Sequence, residues 1–173
     1  TAPPSVYQKL FAKNNRLVHA PEFLVAAKAN DDYINGTFAI LGGAHPYTDK
    51  ALEIIQVGQS KIEDISFTEI GEASLAKYCI NSFLATKVTF MNEIYRLCQQ
   101  ANLNFEAVKV SMSLDTRQGY THFDVPGPDG KFGFGGACFP KDTSALLKYA
   151  ESQNAHLSVL DSAVLVNKVI RND

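Results

Sequence analysis

Apolar positions in the first seventy residues come in short blocks whose period changes from one block to the next. Ser5 to Lys13 suits a helix after the Pro3-Pro4 start, Arg16 to Ala20 reads as a strand, and Val25 to Asp31 as a short helix. Thr37 to Leu41 is a compact apolar run closed by Gly42-Gly43, the pattern of a buried strand entering a turn. Thr48 to Gln59 follows, with Ala51, Ile54, Ile55 and Gly58 at helical spacing, and Ile62 to Phe67 then alternates as another strand. Strands alternating with helices predict a parallel α/β sheet. Three or four strands make a narrow sheet, so the expectation is half a domain.

Beyond Gly71 the pattern lengthens. Glu72 to Ala101 contains neither Gly nor Pro, and Leu75, Cys79, Phe83, Val88, Met91, Ile94, Leu97 and Cys98 recur at helical steps. One helix of that length runs to ~45 Å, longer than a small domain is wide. A second apolar strip, Tyr78, Phe90 and Tyr95, predicts a helix covered on more than one side; the alternative is a broken pair of helices. Asn104 is placed to cap Phe105 to Ser113, and Ser144 to Gln153 and Val159 to Lys168 give two more helices. Between them, Asp115 to Pro140 holds Gly119, Gly127, Gly130, Gly133, Gly135 and Gly136. A connection of that length is uncommon unless it is functional or disordered.

Composition narrows the function classes. The chain is 46% hydrophobic and 20% charged, with 16 basic and 18 acidic side chains. That balance, without a basic run, offers no electrostatic footprint for nucleic acid or an anionic membrane. No stretch approaches the ~20 apolar residues of a membrane span, and the first residues do not read as a signal peptide, so the expected location is the cytoplasm. The three cysteines, Cys79, Cys98 and Cys138, suggest neither a disulfide framework nor a zinc ribbon. The four histidines show no metal spacing, and no metal is expected.

The densest chemical signal is Gly133-Phe134-Gly135-Gly136-Ala137-Cys138-Phe139-Pro140-Lys141-Asp142-Thr143. Glycines before a cysteine allow a sharp turn and close approach of a ligand. Asp142 or Thr143 can cap a helix starting near Ser144, and the helix dipole with Lys141 would favour a thiolate at Cys138. Such a sulfur attacks an electrophilic carbonyl. The competing reading is an inert cysteine in a glycine turn with Asp142 as a cap. On the long helix Lys77 and Asn81 are four apart and share a face, in an apolar setting where an amine and an amide need specific partners. Glu22 is likewise an acid among apolar residues, after a strand. Cys79 and Cys98 sit at core spacing.

GFGGACFPKD, with KYCINSFLATKVTFMNEIYRLC, APEFL and DTRQG before it in the same order, resembles the UDP-glucose and GDP-mannose dehydrogenase family. The resemblance implies an NAD-dependent enzyme that oxidises the C6 alcohol of a UDP-sugar twice, through an aldehyde and a cysteine thioester, UDP-glucose being converted to UDP-glucuronate. It makes Cys138 the nucleophile. Lys77 and Asn81 would stabilise the developing oxyanion, Asp142 would assist proton transfer through a water, and Glu22 would help activate the hydrolytic water. Phe23, Leu24 and Phe123 would line the sugar pocket, Arg117 would reach the sugar in a neighbouring subunit, and Thr1 and Lys141 would face NAD. The implied architecture is a partial Rossmann-type α/β sheet, residues 1–70, followed by an all-α central domain, residues 71–173. That domain would resemble the 6-phosphogluconate dehydrogenase C-terminal domain, with the 72–101 helix forming a homodimer.

Departures from the family pattern accompany the match. Ala26-Ala27 stands where Glu-Gly is usual, Asn35-Gly36-Thr37-Phe38 replaces Asn-Pro-Asp-Arg, Gln118 replaces an isoleucine, and VPGPDGK lengthens the loop before Cys138. No G-x-G-x-x-G follows a strand, so these residues alone are expected to turn over poorly. An inactive dimerisation module, or a dehydrogenase acting on GDP-mannose or an N-acetylated UDP-sugar, is the alternative.

Overall fold

The computed structural model describes residues 1–25, 28–119 and 121–171. It is mostly helical, with one small parallel sheet. The chain divides into two compact units, Thr1–Tyr78 and Cys79–Asp173, the division falling within one long helix.

In the first unit α1 (Pro4–Lys13) and α2 (Ala29–Ile34) precede β1 (Phe38–Gly42), α3 (Tyr47–Gly58) and β2 (Asp64–Thr68). The two strands pair in parallel from Phe38 opposite Asp64 to Gly42 opposite Thr68, joined by α3 as a crossover helix. Leu41 is fully buried and Ala39 nearly so, whereas β2 exposes Ile65 and Phe67. Gly42 closes β1 because nothing larger fits: a Cβ there would lie 2.6 Å from Cβ of Ala73 and 2.8 Å from Cα of Ile70.

Two expectations change here. Arg16 to Ala20 is not a strand; only His19 pairs, antiparallel, with Gly42 through hydrogen bonds of 2.9 and 2.8 Å. Pro21 follows at once and has no N–H to extend a ladder. The sheet therefore has two strands among the described residues rather than three or four. The helix expected over Val25 to Asp31 is α2, which begins at Ala29; Ala26 and Ala27, in that expectation and in the departure noted above, lie outside the described residues.

The long helix is continuous, α4 (Ile70–Ala101), 32 residues. The Glu72 carboxylate holds its start, accepting from Thr68 Oγ1 and, at 3.2 Å, from the Glu69 N–H. Its faces differ from the expected pattern. Leu75, Cys79, Phe83 and Leu97, read above as one packed strip, are exposed, as is Phe90. The buried positions are largely small or polar: Ala73, Ser74, Lys77, Asn81, Ser82, Ala85, Thr89 and Asn92. No helix among the described residues is long and apolar enough to cross a membrane.

In the second unit Met91 and Cys98 of α4 pack with Phe105, Phe123 and Val125. Asn104 caps α5 (Phe105–Ser113) as expected, accepting from Glu106 N at 2.9 Å and Ala107 N at 3.3 Å. A 3-10 turn (Thr116–Gln118) leads into the glycine-rich connection, followed by α6 (Phe139–Ser152) and α7 (Ser158–Ile170). Helix α6 starts five residues before Ser144 because Pro140 stands in its first turn, where a missing N–H costs nothing. Cys138 is thus the N-cap residue, and neither Asp142 nor Thr143 caps the helix.

His19 makes the first unit acid-sensitive. It is buried, its ring stacks on Tyr7 at 4.0 Å, and burial holds its pKa below the ordinary value. The folded form keeps it neutral while the unfolded chain takes up a proton below about pH 6.5, so stability is full above that pH and falls as pH drops through the folded pKa. The expected outcome is that His19→Phe narrows the gap between denaturation midpoints measured at about pH 7.5 and about pH 5.

Candidate active site

The predicted residues are best built from α4 outward. In the first unit Lys77 is 6% exposed, and its ammonium donates to the Glu22 carbonyl at 2.6 Å. The same nitrogen lies 4.7 Å from the centre of the Phe23 ring, which offers its negative face to the cation. Glu22 therefore holds Lys77 through its backbone, while its side chain is exposed. Phe23 leans on Phe38 with ring centres 5.0 Å apart, and Phe23 and Leu24 line a cavity of about 200 Å³ with Glu22 and Tyr33. An ammonium carries three donors, and a buried one is costly unless they find acceptors. Among the described residues Lys77 has one such acceptor.

In the second unit Asn81, one turn along α4 from Lys77, donates from Nδ2 to Asp142 Oδ2 at 2.6 Å. Asp142 is 1% exposed. Its other oxygen pairs with Lys141, and its N–H donates to the Cys138 carbonyl at 2.8 Å. A buried carboxylate in the first turn of a helix gains from the helix dipole as well as from these donors. Cys138, four residues earlier, is exposed. The structure thus joins Asn81, Asp142, Lys141 and Cys138 in the second unit, and Glu22, Phe23 and Lys77 in the first.

The remaining expectations are placed less tightly. Arg117 is exposed and forks onto Asp115, with Nη2 to Oδ2 at 2.5 Å. Phe123 is buried beneath Lys87, whose ammonium is 4.1 Å from its ring centre. Thr1 is exposed. Of the two cysteines read as core, Cys98 is buried and Cys79 is on the surface.

Four residues outside the predicted set organise the glycine-rich connection. Lys87 donates to the carbonyls of Gln118 at 2.9 Å and Gly119 at 3.3 Å, and Asn92, Asn167 and Arg171 reach the segment that leads to Cys138. Asn167 could have been noticed as a polar residue at core spacing after Leu160 and Ala163. Nothing in the pattern marks Lys87 or Arg171.

A model of the UDP-glucose/GDP-mannose dehydrogenase family, central domain, matches residues 71–169. The chain belongs to this family. Over 148 residues it is 37% identical to UDP-glucose 6-dehydrogenase YwqF of Bacillus subtilis, an alignment covering 85% of this chain and 32% of the relative. It is 33% identical over 153 residues to UDP-glucose 6-dehydrogenase AglM of Haloferax volcanii, covering 85% of this chain and 34% of that protein. The structure of a UDP-glucose dehydrogenase from Pyrobaculum islandicum superposes with a TM-score of 0.82 at 27% identity, covering 96% of this chain and 39% of that one. The chain thus spans about a third of the length of the curated relatives it matches.

Two outcomes follow for this family member. Asn81→Ala strips a donor from a buried carboxylate, and the expected loss, read by chemical denaturation, is about 1–3 kcal/mol. Cys138 is expected to react with iodoacetamide faster than Cys79 in the folded protein, since desolvation raises the Cys79 thiol pKa although its side chain is at the surface. Mass spectrometry of labelled peptides at short times measures the order.

Proposed function

We propose that the protein is a UDP-glucose 6-dehydrogenase whose sugar-side chemistry resides in these 173 residues. The observation that supports this most is the buried Asn81 amide bonded to the buried Asp142 carboxylate, one helical turn after Cys138. Membership of the family and the relatives named above support the same reading.

In this reading the C6 alcohol gives up a hydride and a proton to become an aldehyde. The Cys138 sulfur adds to that carbonyl, forming a C–S bond, while its proton passes to the oxygen. Lys77 and Asn81 stabilise the charge that develops on that oxygen by donating hydrogen bonds to it. Removal of a second hydride, together with the hydroxyl proton, leaves a thioester. Water then adds, the C–S bond breaks, the sulfur regains its proton, and a carboxylate is released. Glu22 helps activate the water, and Asp142 relays protons through a water.

NAD is the proposed oxidant and, when bound, takes up the hydride at each oxidation. Thr1 and Lys141 are the positions proposed to meet it, and both are exposed. Phe23, Leu24 and Phe123 are proposed to line the sugar pocket, and Arg117 to reach the sugar from a neighbouring subunit.

The proposed assembly is a homodimer through α4, on which the exposed Phe83, Phe90 and Leu97 recur at steps of seven. Three cysteines without disulfides suit the cytoplasm, the proposed compartment.

The test uses the protein expressed from its complete reading frame. With UDP-glucose and NAD, the expected yield is two NADH per sugar, and Cys138→Ala is expected to cut turnover by about a thousandfold or more. GDP-mannose and N-acetylated UDP-sugars run in parallel decide the substrate. Full activity in Cys138→Ala would sink the thioester route, and a monomer in sedimentation at micromolar concentration the dimer.

A further inference from the structure

The segment that presents Cys138 is held by side chains that the proposed chemistry does not use. Asn167, 7% exposed on α7, accepts from the Phe134 N–H at 2.7 Å and donates to the Phe134 carbonyl at 2.9 Å. One carboxamide thus satisfies both backbone groups of one residue, as a neighbouring strand would. Asn92, 1% exposed on α4, accepts from the Gly133 N–H at 3.0 Å and donates to the Val88 carbonyl at 2.8 Å. Two successive N–H groups are therefore gripped from two different helices. Arg171, one turn beyond Asn167, reaches the Asp129 carboxylate at 2.7 Å.

This grip explains two of the glycines. Gly133 has φ of 72°, and a Cβ there would sit 2.3 Å from the Asn167 oxygen. A Cβ on Gly135 would lie 2.2 Å from the Arg171 guanidinium carbon. Both positions are bare because polar side chains of α7 and of the Arg171 that follows it come up against the backbone. Gly136, by contrast, has φ of 75° with open space around it. Downstream, α6 is anchored to α4 through the bond from Asn81 to Asp142. The Phe134 ring, 5% exposed, meets the Phe139 ring edge-on at 6.2 Å, so the grip also touches the residue after Cys138.

We propose that Asn167 and Asn92 are positioning residues for Cys138: by clamping the Gly133 and Phe134 backbone they set where the sulfur sits at the start of α6. The catalytic part of this inference rests on Cys138 being the nucleophile. A geometric error of about 1 Å at a reacting atom can cost on the order of a hundredfold in rate.

The experiment compares Asn167→Ala with wild type in the protein from its complete reading frame, well below the unfolding midpoint. Expected is a fall in kcat of about 10- to 100-fold with KM for the nucleotide sugar nearly unchanged. The rate of iodoacetamide labelling at Cys138, relative to Cys79 in the same molecule, is expected to fall by about tenfold or more. A lowered unfolding midpoint with kcat and the labelling ratio unchanged, or a ratio that rises, would mean that the asparagine is structural only and would overturn the proposal. Should Asn167→Ala fail to fold, Asn92→Ala is read by the same two measurements. Should the wild type oxidise no nucleotide sugar, the functional reading fails, and the labelling ratio alone then decides the clamp.

Discussion

The bond between the Asn81 amide and the Asp142 carboxylate, 2.6 Å long and buried at both ends, is the contact on which the second unit's candidate chemistry depends. A carboxylate removed from water is costly unless every oxygen is met, and here Asn81 meets one and Lys141 the other. The acid in turn sits one helical turn after Cys138 and receives no strain from doing so, because its own N–H simply makes the first bond of α6. Satisfying one buried charge therefore fixes where α6 begins relative to α4, and with it the residue that carries the sulfur.

Helix α4 shows the same economy on a larger scale. Its buried positions are largely Ala, Ser, Thr, Asn and Lys, with Ile70, Tyr78, Met91 and Cys98 also inside, while the large apolar residues Phe83, Phe90 and Leu97 lie outside. Small residues let neighbouring segments approach closely, and the polar ones find partners inside: Ser74 on the Ala2 carbonyl, Lys77 on the Glu22 carbonyl, Asn92 on the Gly133 N–H. Such a face is weak as a source of hydrophobic stabilisation but strong in specifying which backbone groups sit against it. The outward apolar residues then need cover, which is the physical ground for the proposed dimer.

Glycine has two separate uses in the Cys138 segment. At Gly133 and Gly135 the absence of a Cβ admits Asn167 and Arg171, which hold the chain. At Gly136 nothing approaches, and the left-handed backbone serves to turn the chain toward the cysteine.

Several elements could be read directly from residue order, for local reasons. The 32-residue α4 follows from the lack of Gly and Pro after Gly71, the start of α5 from the Asn104 cap, and the crossover between β1 and β2 from apolar runs around a helical period. The special character of GFGGACFPKD and the likeness to a dehydrogenase family were legible too, since they reside in residue identity. What periodicity could not supply was which face of α4 is buried, because apolar spacing assumes that the core side is the greasy side. Nor could it show that Arg16 to Ala20 pairs at a single residue, or that α6 starts at Phe139. Tertiary structure alone decided that Asn92 and Asn167 hold the cysteine's loop: hydrogen bonds to backbone carry no sequence signature at the backbone end, here the donating one, and their partners are 41 and 33 residues away.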